Sequence, residues 1–171
     1  MYTREEKEEI LTGYSDSDLA GDREHRRSTG GMVFYLNGGL ITWCSHKEKR
    51  VALSSCESEF MAATAAAMQA KWLRSLLSEL TKKLQCVTLF VDNRSAIELM
   101  KNPVFHGRSK HIDIKFHYIR ECVERGEITM KWIGTLEQKA DSLTKAMAVT
   151  KLGEMRQILG VRELEVQEHQ A

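Results

Sequence analysis

Along the chain, hydrophobic and polar positions alternate in some stretches, run together in others, and elsewhere recur every three to four residues. Positions 10–18, ILTGYSDSD, read as a strand. GMVFYL (31–36) and LITWCS (40–45) are two more, flanking Asn37-Gly38-Gly39. Asn-Gly tolerates the positive φ of a tight turn, so this pair is expected to form a hairpin. From Ser54 to about Leu80 the period becomes helical. CVTLFVD (86–92) is a nearly unbroken apolar run ending in Asp, the pattern of a central strand covered on both faces. NRSAIELMKN (93–102) predicts a short helix closed by Pro103. DIKFHYIRECVERG (113–126) is amphipathic and stops at Gly126, a C-cap position. EITMKWI (127–133) predicts a strand. TLEQKADSLTKAM (135–147) predicts a helix, with Thr135 and Gln138 at capping-box spacing. A further helix around Lys151 to Leu159 ends at Gly160, and the polar tail beyond is expected to be disordered. The order β-β-β-α-β-α-α-β-α-α implies a mixed α/β sheet with helices on its faces.

Composition changes this picture little. The 171 residues suit a single domain, 42% hydrophobic and 29% charged, able to bury a core without disulfides. The net charge of +1 identifies no partner, but its distribution is uneven. Asp22 to Arg50 holds six Lys/Arg against three acids, and Arg94 to Arg125 seven against four, with His106, His111 and His117 among them. Two basic stretches in a neutral chain are compatible with a polyanion-binding face or with ordinary solvated surface. Cys44, Cys56, Cys86 and Cys122 form no Cys-x-x-Cys, which argues against a zinc or redox pair. Each lies in an apolar run or helical pattern, so buried free thiols in a reducing compartment are expected. No apolar run approaches the length of a membrane span, and the N-terminus has no signal-peptide pattern.

The acids carry the candidate chemistry. Glu57 and Glu59 open the long helical stretch two residues apart, so they project in nearly opposite directions. Ser54 precedes Glu57 by capping-box spacing, which gives Glu57 a structural task. Glu59 lies on the flank of the Ala-rich stretch AATAAA, whose small side chains let the helix approach a sheet; it is either an exposed, idle carboxylate or one held at the sheet's edge. Asp92 ends the apolar strand where α/β sheets gather ligands, although Asp92 or Asn93 could equally cap the next helix. Asp16 and Asp18 share one face of the first strand. Asp141 lies between Ala140 and Leu143 on a core helix, an awkward place for a charge without a partner.

GYSDSDLAGD, RRSTGGMVFYL, ITWCSHKEKRVALSSCESEFMAA, DNRSAIEL, KNPVFHGRSKHIDIKFHYIRE and ADSLTK occur in this order between about residues 13 and 148. Together they resemble the ribonuclease H domain of plant-like copia-type LTR retrotransposon polyproteins. The resemblance implies a ribonuclease H-like fold, a five-stranded mixed sheet with three antiparallel strands and two parallel to the first. Residues 1–12 would be a charged leader, 13–148 the ribonuclease H domain, and 149–171 a C-terminal helix and disordered tail. It further implies four catalytic, metal-holding acids: Asp16, preferred over Asp18, with Glu59, Asp92 and Asp141. Clustered carboxylates repel, and divalent cations resolve the conflict; Mg²⁺, a hard ion, suits such oxygen ligands, with Mn²⁺ a substitute. Two ions would activate a water and stabilise the leaving 3′-oxygen at phosphorus. Asp16 would bridge both, Asp141 would serve the water-activating ion, and Glu59 and Asp92 the other.

The implied activity is endonucleolytic cleavage of the RNA strand of RNA/DNA hybrids during reverse transcription. The implied partners are the hybrid and the reverse transcriptase segment of the same polyprotein, with no membrane and no small-molecule cofactor. The implied location is cytoplasmic, within virus-like particles. The alternative is a hybrid-binding or partner-binding module with little turnover. Resemblance and charge together mark Lys47, Lys49, Arg50, Arg94, Arg108, Lys110 and His111 for substrate contact. No His precedes Asp141 on its loop, unlike many cellular enzymes of the superfamily but as is usual for the copia branch. Two features depart from the family pattern: Lys139 and Ser142 flank Asp141 where apolar residues are usual, and Glu48 stands where Gln is expected. Trp43, Trp72 and Trp132 lie in apolar contexts and are expected in the core.

Overall fold

The computed structural model describes residues 10–83, 85–101 and 110–162, the side chains of 110–113 not included. The polar tail, most of the charged leader, and Pro103, His106 and Arg108 therefore lie outside the described residues, as do the side chains of Lys110 and His111. Three strands come first: β1 (Leu11–Asp18), β2 (Thr29–Leu36) and β3 (Gly39–Lys47). The long helix α1 (Ser55–Thr81) follows, then β4 (Val87–Val91), α2 (Arg94–Lys101), α3 (Lys110–Glu124) and β5 (Ile128–Trp132). Two short 3-10 turns, Thr135–Glu137 and Lys139–Leu143, precede α4 (Val149–Leu159). The sheet order is β3-β2-β1-β4-β5; β1, β2 and β3 are antiparallel, while β4 and β5 run parallel to β1.

Local chemistry explains the elements. Asn37 and Gly38 both have positive φ, 52° and 80°, so the β2–β3 hairpin turns where Asn-Gly stands. Ser54 caps α1 by accepting from the Glu57 amide at 3.1 Å. The Glu57 carboxylate reaches back to the Leu53 amide at 2.8 Å, one residue before the expected Ser54 amide. Ala62, Ala63, Ala66, Ala67 and Ala70 are almost fully buried, and this narrow face seats α1 on the sheet. Leu89, Val91, Ile128, Met130 and Phe34 meet it from the strands, and α3 joins through Phe116, stacked on Phe60 at 4.2 Å.

The sheet's opposite face carries Tyr14 and Tyr35, in edge contact at 5.9 Å. The 3-10 segment Lys139–Leu143 and α4 cover it. The Tyr35 hydroxyl donates to the Leu159 carbonyl at 3.2 Å, and Met155 is buried. The expected helix over 135–147 is corrected here to two 3-10 turns. Its capping residues are used differently: Gln138 donates to the Ser15 carbonyl at 2.9 Å and accepts from the Ala140 amide, while Thr135 turns toward Asp92. The inward Lys139 is accommodated, its ammonium lying 4.0 Å from the Tyr35 ring centre and 5.1 Å from that of Tyr14.

Two burial expectations are also corrected. Trp43, Trp72 and Trp132 are all well exposed, because β3 and β5 are edge strands and Trp72 lies on the outer face of α1. Cys44 and Cys86 are exposed, and of the four thiols only Cys122 is fully buried. Among the described residues no helix is long and apolar enough to cross a membrane.

Candidate active site

The parallel pairing of β1 with β4 ends at Ser15 opposite Val91, so the next residues, Asp16 and Asp92, leave the two strands side by side. The first turns of α1 pass over this point. Glu59 Oε1 accepts from the Ser17 amide at 3.0 Å, and the Ser17 and Ser58 hydroxyls share a hydrogen bond that ties α1 to β1. One carboxylate oxygen each from Asp16, Glu59 and Asp92 lies within 4.8 Å of the others. Asn93, not Asp92, caps α2 by accepting from the Ala96 amide at 3.0 Å, which leaves the Asp92 carboxylate to the cleft.

Asp141 arrives from the opposite side of the sheet. Asp16 is paired across the ladder with Gly31, and a Cβ there would lie 2.9 Å from the Ala140 carbonyl and from Leu143 and Thr144 atoms. Only glycine lets the 3-10 segment lie this close. The Thr144 hydroxyl consequently donates to Asp16 Oδ2 at 2.9 Å and sits 3.0 Å from the Asp141 carbonyl. The Asp141 carboxylate lines the same cleft but is not one of the close-set three; it is paired with the Lys145 ammonium at 2.5 Å. The open cleft, about 430 Å³, is lined by all four acids and by Asp18, Arg94, Thr135 and Lys145.

The electrostatics follow from this crowding. Burial, then the charges of Asp16 and Asp92, push the Glu59 carboxyl up to about 9. Asp16 is pushed up to about 6, mainly by burial, with the Thr144 hydrogen bond opposing and Asp92 and Asp141 adding to the rise. Asp92 also moves upward, through burial, against the Thr135 hydroxyl donating to it at 3.3 Å. Lys145 moves upward because it donates to Asp141. Glu59 Oε2 is buried without a hydrogen-bond partner. Three hard oxygen ligands, mutually repelling and with one oxygen orphaned, form a donor set that fits a divalent cation.

The other expected contacts are dispersed. Arg94 lines the cleft, whereas Lys47 is paired with Asp22 at 3.0 Å and Lys49 and Arg50 are exposed on the β3–α1 connection. Glu48 is buried against His46 Nε2 at 3.0 Å. Sequence reasoning missed Thr135, Thr144 and Lys145. The last two follow Asp141 by one turn, a spacing that could have flagged them.

This sheet order, with acids at the ends of β1 and β4, is the ribonuclease H fold. LC11-RNase H1, isolated from compost, matches with a TM-score of 0.58 over 79% of this chain and 92% of that one, at 18% identity. RNase H1 from Halobacterium salinarum NRC-1 matches at 0.57 over 79% and 94%, with 16% identity. LC11-RNase H1 in complex with an RNA/DNA hybrid matches at 0.56 over 78% and 93%, with 18% identity. In sequence, the chain is similar to a segment of the Pol polyproteins of plant retrotransposons. It is 40% identical over 152 residues to the retrovirus-related Pol polyprotein from transposon TNT 1-94 of Nicotiana tabacum, covering 89% of this chain and 11% of that protein. It is 39% identical over 152 residues to that from transposon RE1 of Arabidopsis thaliana, covering 88% and 10%. The chain thus spans about a tenth of the length of these relatives. No protein-family model matches it.

Proposed function

We propose that the chain is a divalent-cation-dependent endoribonuclease that cuts the RNA strand of RNA/DNA hybrids during retrotransposon reverse transcription. The observation that carries this reading is the convergence of Asp16, Glu59 and Asp92 in an open cleft of a ribonuclease H fold, in a chain homologous to Pol polyproteins. Asp16, Glu59 and Asp92 would hold one Mg²⁺ or Mn²⁺, and Asp16 with Asp141 a second. When bound, the cations supply a water nucleophile at neutral pH and stabilise the leaving 3′-oxygen.

The chain's own residues do the positioning. Thr144 and Thr135 orient Asp16 and Asp92 by hydrogen bonds, and Ser17 fixes Glu59 through its amide. Lys145 neutralises Asp141 and can exchange that carboxylate for substrate or solvent. Lys47, Lys49, Arg50, Arg94, Arg108, Lys110 and His111 are the candidate contacts to the hybrid's backbones, which give affinity without sequence preference. Choice of the RNA strand would rest on its 2′-hydroxyls and on groove shape. The reverse transcriptase segment of the polyprotein is the natural partner in this reading.

Incubation with an RNA/DNA hybrid labelled on either strand tests it. The expected result in Mg²⁺ is RNA-strand cleavage alone, giving 5′-phosphate products, and none with Asp92→Asn. Tight hybrid binding with no cleavage in Mg²⁺ or Mn²⁺, even with the polymerase segment added, would favour the binding-module alternative.

A further inference from the structure

Trp132, the last residue of β5, has no part in the chemistry above. It is 49% exposed, yet its indole is engaged twice. The ring N–H donates to the main-chain carbonyl of Asp92 at 3.0 Å. The Arg94 guanidinium lies over the ring, 4.4 Å from its centre. Arg94 is the first residue of α2, is exposed, and lines the cleft together with Asp16, Glu59 and Asp92. A single ring therefore bridges the peptide that carries one acid and a cation two residues further on.

Stacking changes what the arginine can do. An unsupported surface arginine samples many rotamers and must surrender that freedom when it binds. Held over an indole, it gives up much of that freedom in advance, while the N–H groups of its planar fork remain suited to two oxygens of a phosphate. The indole's hydrogen bond to Asp92 fixes the ring in turn, so cation and acid keep a constant relation across the cleft's edge.

We propose that Trp132 is a positioning residue that holds Arg94 ready for a backbone phosphate of the bound nucleic acid, setting affinity for the hybrid while leaving the chemical step alone. This rests on the nuclease reading for the identity of the ligand. Binding of a fluorescent RNA/DNA hybrid, measured by anisotropy in Ca²⁺ over a range of salt, tests it together with cleavage kinetics in Mg²⁺. Trp132→Leu and Arg94→Ala are each expected to weaken binding roughly three- to tenfold and to flatten the salt dependence by about one phosphate contact. KM should rise while kcat stays within about twofold. The double variant should be no weaker than Arg94→Ala alone, and Trp132→Phe, which keeps a ring to stack on, should retain most of the affinity.

Multiplicative losses in the double variant, or an unchanged salt slope in Trp132→Leu, would overturn the proposal. If Trp132→Leu does not fold, Arg94→Ala carries the test alone, since it alters only an exposed side chain; an unchanged affinity and salt slope there overturns it equally. Hybrid binding with this coupling but no cleavage would sink the nuclease reading and leave the positioning role standing. Cleavage without the coupling would do the reverse.

Discussion

Glu57 and Glu59 sit two residues apart on α1 and meet opposite environments. The Glu57 carboxylate takes the Leu53 amide at the helix start, so Glu57→Gln is expected to lower stability by about 1 kcal/mol in urea titration and to leave cleavage near wild type. Glu59 has one buried oxygen with no partner and a carboxyl pushed up to about 9. Glu59→Gln should abolish cleavage yet stabilise the metal-free protein at neutral pH, on the order of 1–3 kcal/mol. The pH dependence has a definite sign. For an acid whose folded value is raised, stability is full below the unfolded value and is lost as pH rises through the folded one. For Glu59 that window runs from 4.5 to about 9, and for Asp16 from 3.8 to about 6. Melting temperature in EDTA should therefore fall as pH rises across this range, with Mg²⁺ restoring most at the alkaline end; a flat profile would show that the carboxylates are not crowded. The sequence could distinguish the two glutamates because a capping box is a local pattern. It could not show that Asn93 relieves Asp92 of capping, since both residues satisfy the same rule and only the backbone geometry chooses.

At the scale of elements, the strands and α1 to α3 were legible because periodicity and turn chemistry act over a few neighbours. The Asp141 segment was not. Thr135 and Gln138 have capping-box spacing, but the Thr135 hydroxyl is drawn to Asp92 and the Gln138 amide to the Ser15 carbonyl, partners remote in sequence. These tertiary bonds hold the chain in 3-10 turns close to β2. Gly31 permits that approach, and Gly31→Val would drive a branched side chain into the Ala140 carbonyl and Leu143. Overpacking of this kind costs about 1–3 kcal/mol. The expected result is a lower urea midpoint and a large loss of cleavage, because the Thr144 bond to Asp16 and the placement of Asp141 depend on the same contact. Wild-type activity in a folded Gly31→Val protein would mean that Asp141 can be placed without it.

At the scale of the molecule, α1, α2 and α3 close one face of the sheet, while the other depends on shorter pieces. Tyr14 and Tyr35 are covered there by the Lys139 ammonium, by the Asp141 segment and by α4, with Met155 buried and the Tyr35 hydroxyl bonded to the Leu159 carbonyl. The motifs that carry the resemblance all lie before residue 149, and nothing in the sequence assigns α4 a task, because the counterpart of its packing lies some 120 residues away. The packing gives it one. Ending the chain after Ala148 would empty the site of Met155 and deprive the Tyr35 hydroxyl of its acceptor; loss of one buried methionine alone is worth about 2–5 kcal/mol. The cover is shared with the segment carrying Asp141, so destabilisation should spread to the cleft. The truncated chain is therefore expected to unfold at markedly lower urea and, at temperatures where it stays folded, to need more Mg²⁺ for half-maximal cleavage. An unchanged midpoint and unchanged Mg²⁺ requirement would show that α4 rests on the sheet without supporting the site.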